Sequence, residues 1–229
     1  MDVESSPLST RLRPHHHHGQ IQLILGPMFS GKTTELIRRC RRYAMANYRC
    51  AVVKYAKDSR YSASLVATHD KQTIGQDSIT TLVADGQLAK QLQQLESFDV
   101  VAIDEGQFFE DVVWTAEHLA SAGKVVVVAA LDGDYRRQPF GDILSLVPKA
   151  ESVVKLTAVC KGCLSDTAAF TKRTTSDTQV EVIGGAETYV AVCRECYPLP
   201  SLSEINRISK GNDCSATGEN KENVPAVTG

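Results

Sequence analysis

Residues 26 to 33 read GPMFSGKT, the spacing G-x-x-x-x-G-K-[ST] that cradles the phosphates of a nucleoside triphosphate. Gly26 and Gly31 let the backbone turn tightly, so that several N–H groups converge on phosphate oxygens. A helix starting behind them aims the positive end of its dipole at the same place. In this pattern Lys32 bridges the outer phosphates and Thr33 offers its hydroxyl to Mg²⁺. The loop specifies a phosphate donor and leaves the acceptor open.

A second group of residues bears on the acceptor. FDVVAIDEGQFF, residues 98 to 109, is an apolar run that ends in two acids. Asp104, at the carboxyl end of the predicted strand, would orient Mg²⁺ or its water shell. Glu105 is then placed to take a proton from a hydroxyl that attacks the terminal phosphate. Alone, an Asp-Glu pair after a strand reads as a helix cap; beside a phosphate loop it reads as the acidic half of the same site. Transfer to an acceptor other than water also needs positive groups on the migrating phosphoryl. Arg60 in YAKDSRYS and Arg173 in FTKRTT are the candidates, whereas Arg38, Arg39, Arg41 and Arg42 belong to a solvated or subunit-facing helix surface.

Cys160 and Cys163 in VCKGC, with Cys193 and Cys196 in VCREC, form two C-x-x-C knuckles. They can supply four thiolates in a tetrahedron around a structural Zn²⁺, with no position left for catalysis. The intervening residues 164 to 192 exceed the usual spacing, which predicts an excursion clamped at its base with its middle left to close over a ligand. That excursion contains Thr171, Val180 to Gly185 and Tyr189. On residue types alone, a hairpin with a turn at Gly184 and Gly185 and a ligand lid are equally good readings.

These residues require a scaffold. From Ile21 short apolar runs alternate with helical stretches, the pattern of βαβ units around a parallel sheet. Strands are predicted at 21–25, 50–55, 79–83, 99–103 and 124–131, and a helix from Lys32 through TTELIRRCRRYAM. DGQLAKQLQQLESF, 85 to 98, puts Leu88, Leu92, Leu95 and Phe98 on one helical face, with Asp85 suited to the cap. KVVVVAALDG, 124 to 133, is continuously apolar, as expected of a central strand next to that of the phosphate loop. After about Pro148 the βα alternation ceases. The expected organisation is a disordered leader at 1–19, a P-loop (RecA-like) α/β nucleotide-binding domain at 20–149, a zinc-binding subdomain at 150–197, and a disordered tail at 198–229. The histidine run His15 to His18 is read as low-complexity filler with no function.

Composition bounds the class. Of 229 residues, 42% are hydrophobic and 23% charged, values of a soluble globular protein, and no apolar run nears the roughly 20 residues of a membrane span. A formal net charge of −2 lacks the basic footprint of a nucleic-acid binder. Seven cysteines is an odd number. The two C-x-x-C pairs favour metal in a reducing compartment and leave Cys40, Cys50 and Cys214 as thiols. The N-terminus has neither the apolar core of a secretory signal nor the acid-poor character of a presequence, so the cytosol is the expected location. A GTPase is disfavoured because no N-K-x-D word appears. The rival class is a P-loop ATPase, motor or switch, with a zinc module for docking.

GPMFSGKTTEL, KYAKDSRYS, IDEGQFF, ALDGDYRRQPFG, AESVVKLTAVCKGC, FTKR, EVIGGAETY and VCRECY together resemble the cytosolic (type II) thymidine kinases, over about residues 20 to 197. The resemblance implies transfer of the γ-phosphate of ATP, with Mg²⁺, to the 5′-hydroxyl of thymidine or deoxyuridine, with Glu105 as catalytic base. It implies nucleotide-side positions at Gly26, Pro27, Met28, Phe29, Ser30, Gly31, Lys32 and Thr33, at Asp58, Ser59 and Arg60, and at Asp104, Glu105, Gly106 and Gln107. It implies that the zinc-held subdomain extends a lasso loop over the base, through Thr171, Arg173, Val180, Glu181, Val182, Ile183, Gly184 and Tyr189. Met28, Phe108, Leu131, Tyr135 and Phe140 match positions around the base. At Tyr135 many vertebrate members carry phenylalanine, so this chain brings an extra hydroxyl to the pyrimidine pocket. The family's usual homotetramer and its inhibition by dTTP are implied as well. In the tail, Lys221, Glu222 and Asn223 match the KEN signal read by the anaphase-promoting complex.

Overall fold

Each of the five apolar runs becomes a strand, and a sixth strand, unmarked by the alternating pattern, joins them. The computed structural model describes residues 18–57, 79–174 and 188–199. Its main sheet contains β1 (Gln20–Leu25), β2 (Cys50–Tyr55), β3 (Ile79–Ala84), β4 (Val100–Ile103), β5 (Val125–Ala130) and β6 (Ser152–Lys155), in the order β3-β2-β4-β5-β1-β6. Every pairing in it is parallel. One strand, β5, therefore separates the phosphate-loop strand β1 from the acid-bearing strand β4, the RecA-like arrangement expected.

The run VVVVAA of β5 is buried at every position because both faces of the sheet are covered. Val126, Val128 and Ala130 point to one core and Val125, Val127 and Ala129 to the other, the two-residue alternation of a pleated strand. Helix α1 (Lys32–Met45) covers the second face with Leu36, Ile37 and Cys40. Its outer side carries Glu35, paired with Arg38 at 2.5 Å and Arg39 at 2.8 Å. The Arg38 guanidinium, with Arg39 beside it, holds the Glu35 carboxyl down at about 2. Arg39 also donates to Gln22 at 3.0 Å, so two of the four arginines are tied to their own surface. On the first face lie α2 (Leu92–Glu96), α3 (Val112–Ser121) and a 3₁₀ stretch at Ile143–Lys149.

The helix expected over 85–98 is shorter than its apolar periodicity suggested. A 3₁₀ turn at Ala89–Gln91 leads into α2, with Leu88 and Leu95 fully buried. Asp85 is not its cap, because the chain turns through Gly86 at φ 71° before the first helical residue. The carboxylate of Asp111 takes that part from across the fold, accepting from Leu88 N at 2.9 Å and Ala89 N at 2.8 Å.

β6 pairs with β1 just past Pro148, where the pattern had indicated no further alternation. It is a short edge strand with every other residue exposed, including Val153, so it lacks the apolar run that marked the others. Beyond it β7 (Phe170–Arg173) and β8 (Tyr189–Val192) pair antiparallel over a small core of Ala158, Cys160, Ala168, Val190, Val192 and Cys193. Among the described residues no helix is long and apolar enough to cross a membrane.

Candidate functional site

The phosphate loop leaves β1 at its carboxyl end and enters α1. Gly26 sits at φ 147°, and a Cβ there would lie 2.7 Å from the Leu156 carbonyl oxygen, so both conformation and space require glycine. Phe29 and Gly31 also take positive φ, the sharp local geometry that turns backbone N–H groups inward. No side chain caps α1, and a helix start leaves its first N–H groups without intrahelical acceptors. The Pro27 carbonyl accepts from Ser30 Oγ at 2.8 Å and from Lys32 Nζ at 2.9 Å, which folds the lysine over the cradle.

Thr33 Oγ1 donates to Asp104 Oδ1 at 3.1 Å, bringing the first turn of α1 against the end of β4. Asp104 is buried. Burial, with Glu105 beside it, raises its carboxyl to about 7, against the pull of Thr33 and Lys32. A hydroxyl and a carboxylate side by side are hard oxygen donors, the kind that suits Mg²⁺.

Glu105 adopts φ 53° and ψ 44°, left-handed backbone that a non-glycine residue reaches at a cost of roughly 1 kcal/mol or more. The bend swings the acid off the strand axis into the 3₁₀ turn Gly106–Phe108. Gln107 donates from Nε2 to Glu105 Oε2 at 2.7 Å, while its Oε1 accepts from Leu131 N at 3.0 Å. Gly106 lets this turn lie flat on the sheet: an added Cβ would stand 2.6 Å from Val128 Cγ1 and 3.3 Å from Ile143 Cδ1. Gly106→Ala is accordingly expected to lower unfolding free energy by about 1–3 kcal/mol, read as a lower urea midpoint at constant m; an unchanged midpoint would contradict the packing.

Aromatic rings border the acids. Phe108 stacks on Tyr55 at 4.8 Å between centroids and meets Phe140 edge-on at 5.5 Å. Phe140 follows the turn 133–139, which Asp134 organises by accepting from Arg136 N at 2.8 Å and Gln138 N at 2.9 Å.

The four cysteine sulfurs lie within 4.8 Å of one another. Cys163 Sγ and Cys193 Sγ stand 3.7 Å apart. That is far beyond a disulfide, and it matches the roughly 3.8 Å edge of a tetrahedron with Zn–S bonds near 2.3 Å. Cys160 Sγ also accepts from Gly162 N at 3.4 Å and Cys193 N at 3.3 Å, as a thiolate ligand would. The residues present fit zinc. By contrast the thiols of Cys40 and Cys50 are buried, and burial pushes Cys50 up to about 11.

The cysteine module reaches back to the phosphate loop. Met28 N donates to Thr171 Oγ1 at 2.9 Å, and Tyr197 OH donates to the Tyr135 carbonyl at 2.7 Å. Arg173 is buried; it donates to Tyr189 OH at 2.5 Å, with its guanidinium 3.9 Å from the Tyr135 ring centre. The Tyr135 hydroxyl accepts from Arg136 Nε at 2.8 Å.

The structure thus joins the expected residues in two linked sets. One runs Lys32, Thr33, Asp104, Glu105, Gln107, Leu131; the other runs Met28, Thr171, Arg173, Tyr189, Tyr135. Asp58, Ser59, Arg60, Val180, Glu181, Val182, Ile183, Gly184, Cys214 and the word Lys221, Glu222, Asn223 lie outside the described residues, as do His15 to His17. Sequence reasoning passed over Tyr55, Asp134 and Tyr197. Asp134 carried a signal, an aspartate opening a Gly- and Pro-flanked turn, whereas nothing local marked the other two.

Comparison with known proteins matches most of the chain to one family. A family model described as thymidine kinase matches residues 19–197. Human cytosolic thymidine kinase is 51% identical over 212 residues, covering 93% of this chain and 83% of that protein. The chicken cytosolic enzyme is 49% identical over 212 residues, covering 93% and 87%. A thymidine kinase of monkeypox virus is 51% identical over 179 residues, covering 78% of this chain and 97% of that protein.

Proposed function

The chain belongs to the thymidine kinase family, and on that premise we propose how its own residues carry out the reaction. The protein transfers the γ-phosphate of ATP to the 5′-hydroxyl of thymidine, giving dTMP for DNA synthesis. The match over most of the chain does not favour a motor or switch.

The observation that carries the residue assignment is the meeting of phosphate loop and acidic strand, Thr33 Oγ1 against Asp104 Oδ1 at 3.1 Å. Residues Gly26 to Thr33 hold the triphosphate through backbone N–H groups, and Lys32 swings from Pro27 onto the outer phosphates. Asp58, Ser59 and Arg60, with Asp104 to Gly106, complete the nucleotide side. Thr33 and Asp104 would hold Mg²⁺, which when bound would supply positive charge to the phosphates. Glu105 orients the 5′-hydroxyl and accepts its proton as the oxygen bonds to phosphorus and the ADP oxygen leaves. Met28, Phe108, Leu131, Tyr135 and Phe140 wall the pyrimidine. Thr171, Arg173, Tyr189 and residues 180–184 close the acceptor side from a zinc-held subdomain that follows β6 and runs to 197, whose base is fixed by Cys160, Cys163, Cys193 and Cys196. Deoxyuridine, which lacks only the thymine methyl, is a second acceptor.

The reading extends to assembly and control on the strength of the resemblance: a cytosolic homotetramer, restrained by dTTP, with Lys221 to Asn223 as a degradation signal. Arg173→Lys keeps the charge but loses the planar stack on Tyr135 and the fork geometry. It is expected to raise the thymidine KM several-fold, by the roughly 1 kcal/mol of such a contact, with kcat held within about two-fold. A fall in kcat at unchanged KM would remove Arg173 from the acceptor wall.

Acceptor dependence tests the whole reading. Purified protein with Mg-ATP and a panel of nucleosides should consume ATP rapidly only with thymidine or deoxyuridine. Equal turnover without nucleoside, or a preference for deoxycytidine or purine nucleosides, would overturn it.

A further inference from the structure

We propose that Gln107 is a positioning residue for phosphoryl transfer: it fixes the carboxylate of Glu105 by tying it to the carboxyl end of β5. This rests on Glu105 being the base. The resemblance puts Gln107 among the nucleotide-side residues; the geometry points to a different task.

A buried amide has to place both of its ends. Gln107 is buried, and its Oε1 is committed to the backbone N–H of Leu131, a donor that no flip of the amide could satisfy from the nitrogen side. The NH₂ end is therefore directed at Glu105 Oε2, 2.7 Å away, a short bond to a charged acceptor. The anchor is rigid, since Leu131 directly follows β5, whose neighbours are β4 and β1. The turn that carries Gln107 cannot sink toward the sheet, because Gly106 already lies against Val128 and Ile143.

The left-handed backbone of Glu105, φ 53°, turns its side chain off the strand axis into the 3₁₀ turn, where Gln107 meets it. The bond from Gln107 narrows the position of the carboxylate, and a displaced carboxylate lengthens the path for the proton. Leu131 also belongs to the proposed pyrimidine wall, so one amide refers both the wall and the base to the same strand end. A substrate seated against that wall then meets the carboxylate in register.

The test uses the full-length protein and two substitutions. Gln107→Glu keeps an acceptor for Leu131 N but replaces the donor to Glu105 with a carboxylate; Gln107→Met removes both bonds at similar volume. Each is measured for kcat, for the KM of ATP and thymidine, and for melting temperature, alone and combined with Glu105→Gln. The expected result is a kcat roughly 10- to 100-fold lower for each variant, with the KM of ATP within about two-fold. In the Glu105→Gln background the same substitutions should change kcat by less than about two-fold, because residues that act as a unit are not additive. A raised KM for ATP with kcat retained would make Gln107 a nucleotide ligand and overturn the proposal. An equal loss in both backgrounds would show that it acts apart from Glu105 and overturn it too. A lower melting temperature with kcat retained would leave it a structural brace only. Full activity in Glu105→Gln alone would instead remove Glu105 as the base, a separate failure that takes this proposal with it.

Discussion

Glu105→Gln is expected to bind Mg-ATP and thymidine with near-normal affinity and to transfer phosphate roughly 10²- to 10⁴-fold more slowly, the usual contribution of a positioned general base. The substitution keeps side-chain shape, and the new amide oxygen still accepts from Gln107 Nε2, so the turn Gly106–Phe108 and the contact of Phe108 with Tyr55 survive. What is lost is the ability to take a proton. Single-turnover transfer to labelled thymidine, set beside calorimetric ATP binding, separates the two. Unchanged transfer would show that the 5′-hydroxyl is deprotonated elsewhere and that the acid after Asp104 serves only the turn.

Cys160→Ser should have a comparably large effect by another route. Cys160 Sγ is fully buried and gathers the N–H groups of Gly162 and Cys193, so it is the innermost of the four sulfurs. A serine there removes a ligand, and zinc affinity should fall well beyond the roughly 10–100-fold typical of outer-shell changes. With the metal gone, the small core of Ala158, Ala168, Val190 and Val192 loses its main support, because so few apolar residues cannot hold a fold unaided. Thr171 then no longer meets Met28 N. Metal analysis should read one zinc per chain in the parent and substantially less in the variant. Thymidine-dependent turnover should be lost, cleavage within 164–192 should become rapid, and ATP should still bind. Normal turnover at zero zinc would refute a structural role for the metal.

Much of this site could be read before any fold was known, because its signals are local. The phosphate loop, the acids after VVAI and the two C-x-x-C pairs are each confined to a few neighbouring residues, and the buried strands announce themselves by unbroken apolar runs. Features that depend on distant partners could not be read. β6 is a half-exposed edge of four residues with no run to notice. α3 buries Val112, Thr115, Ala116 and Leu119, an apolar stripe that one polar and one small residue weaken. The cap of the 85–98 segment comes from Asp111, and Gln107 meets its anchor at Leu131, both long-range pairings of a kind no periodicity encodes. Tyr55 ends a strand like many others until Phe108 is folded onto it.

Neighbouring parallel strands keep a nearly fixed lateral spacing of about 4.8 Å because their hydrogen bonds do. With β5 alone between β1 and β4, the roots of the phosphate loop and of the acid pair stand about 10 Å apart. The sheet acts as a ruler with a single graduation: the one intervening strand fixes the lateral offset between the root of the phosphate loop and the root of the acid pair. Lengthening the loops that cross the helices should leave this dimension untouched. The tolerance of the reaction is thereby set by backbone pairing, the part of the molecule least open to drift by side-chain substitution.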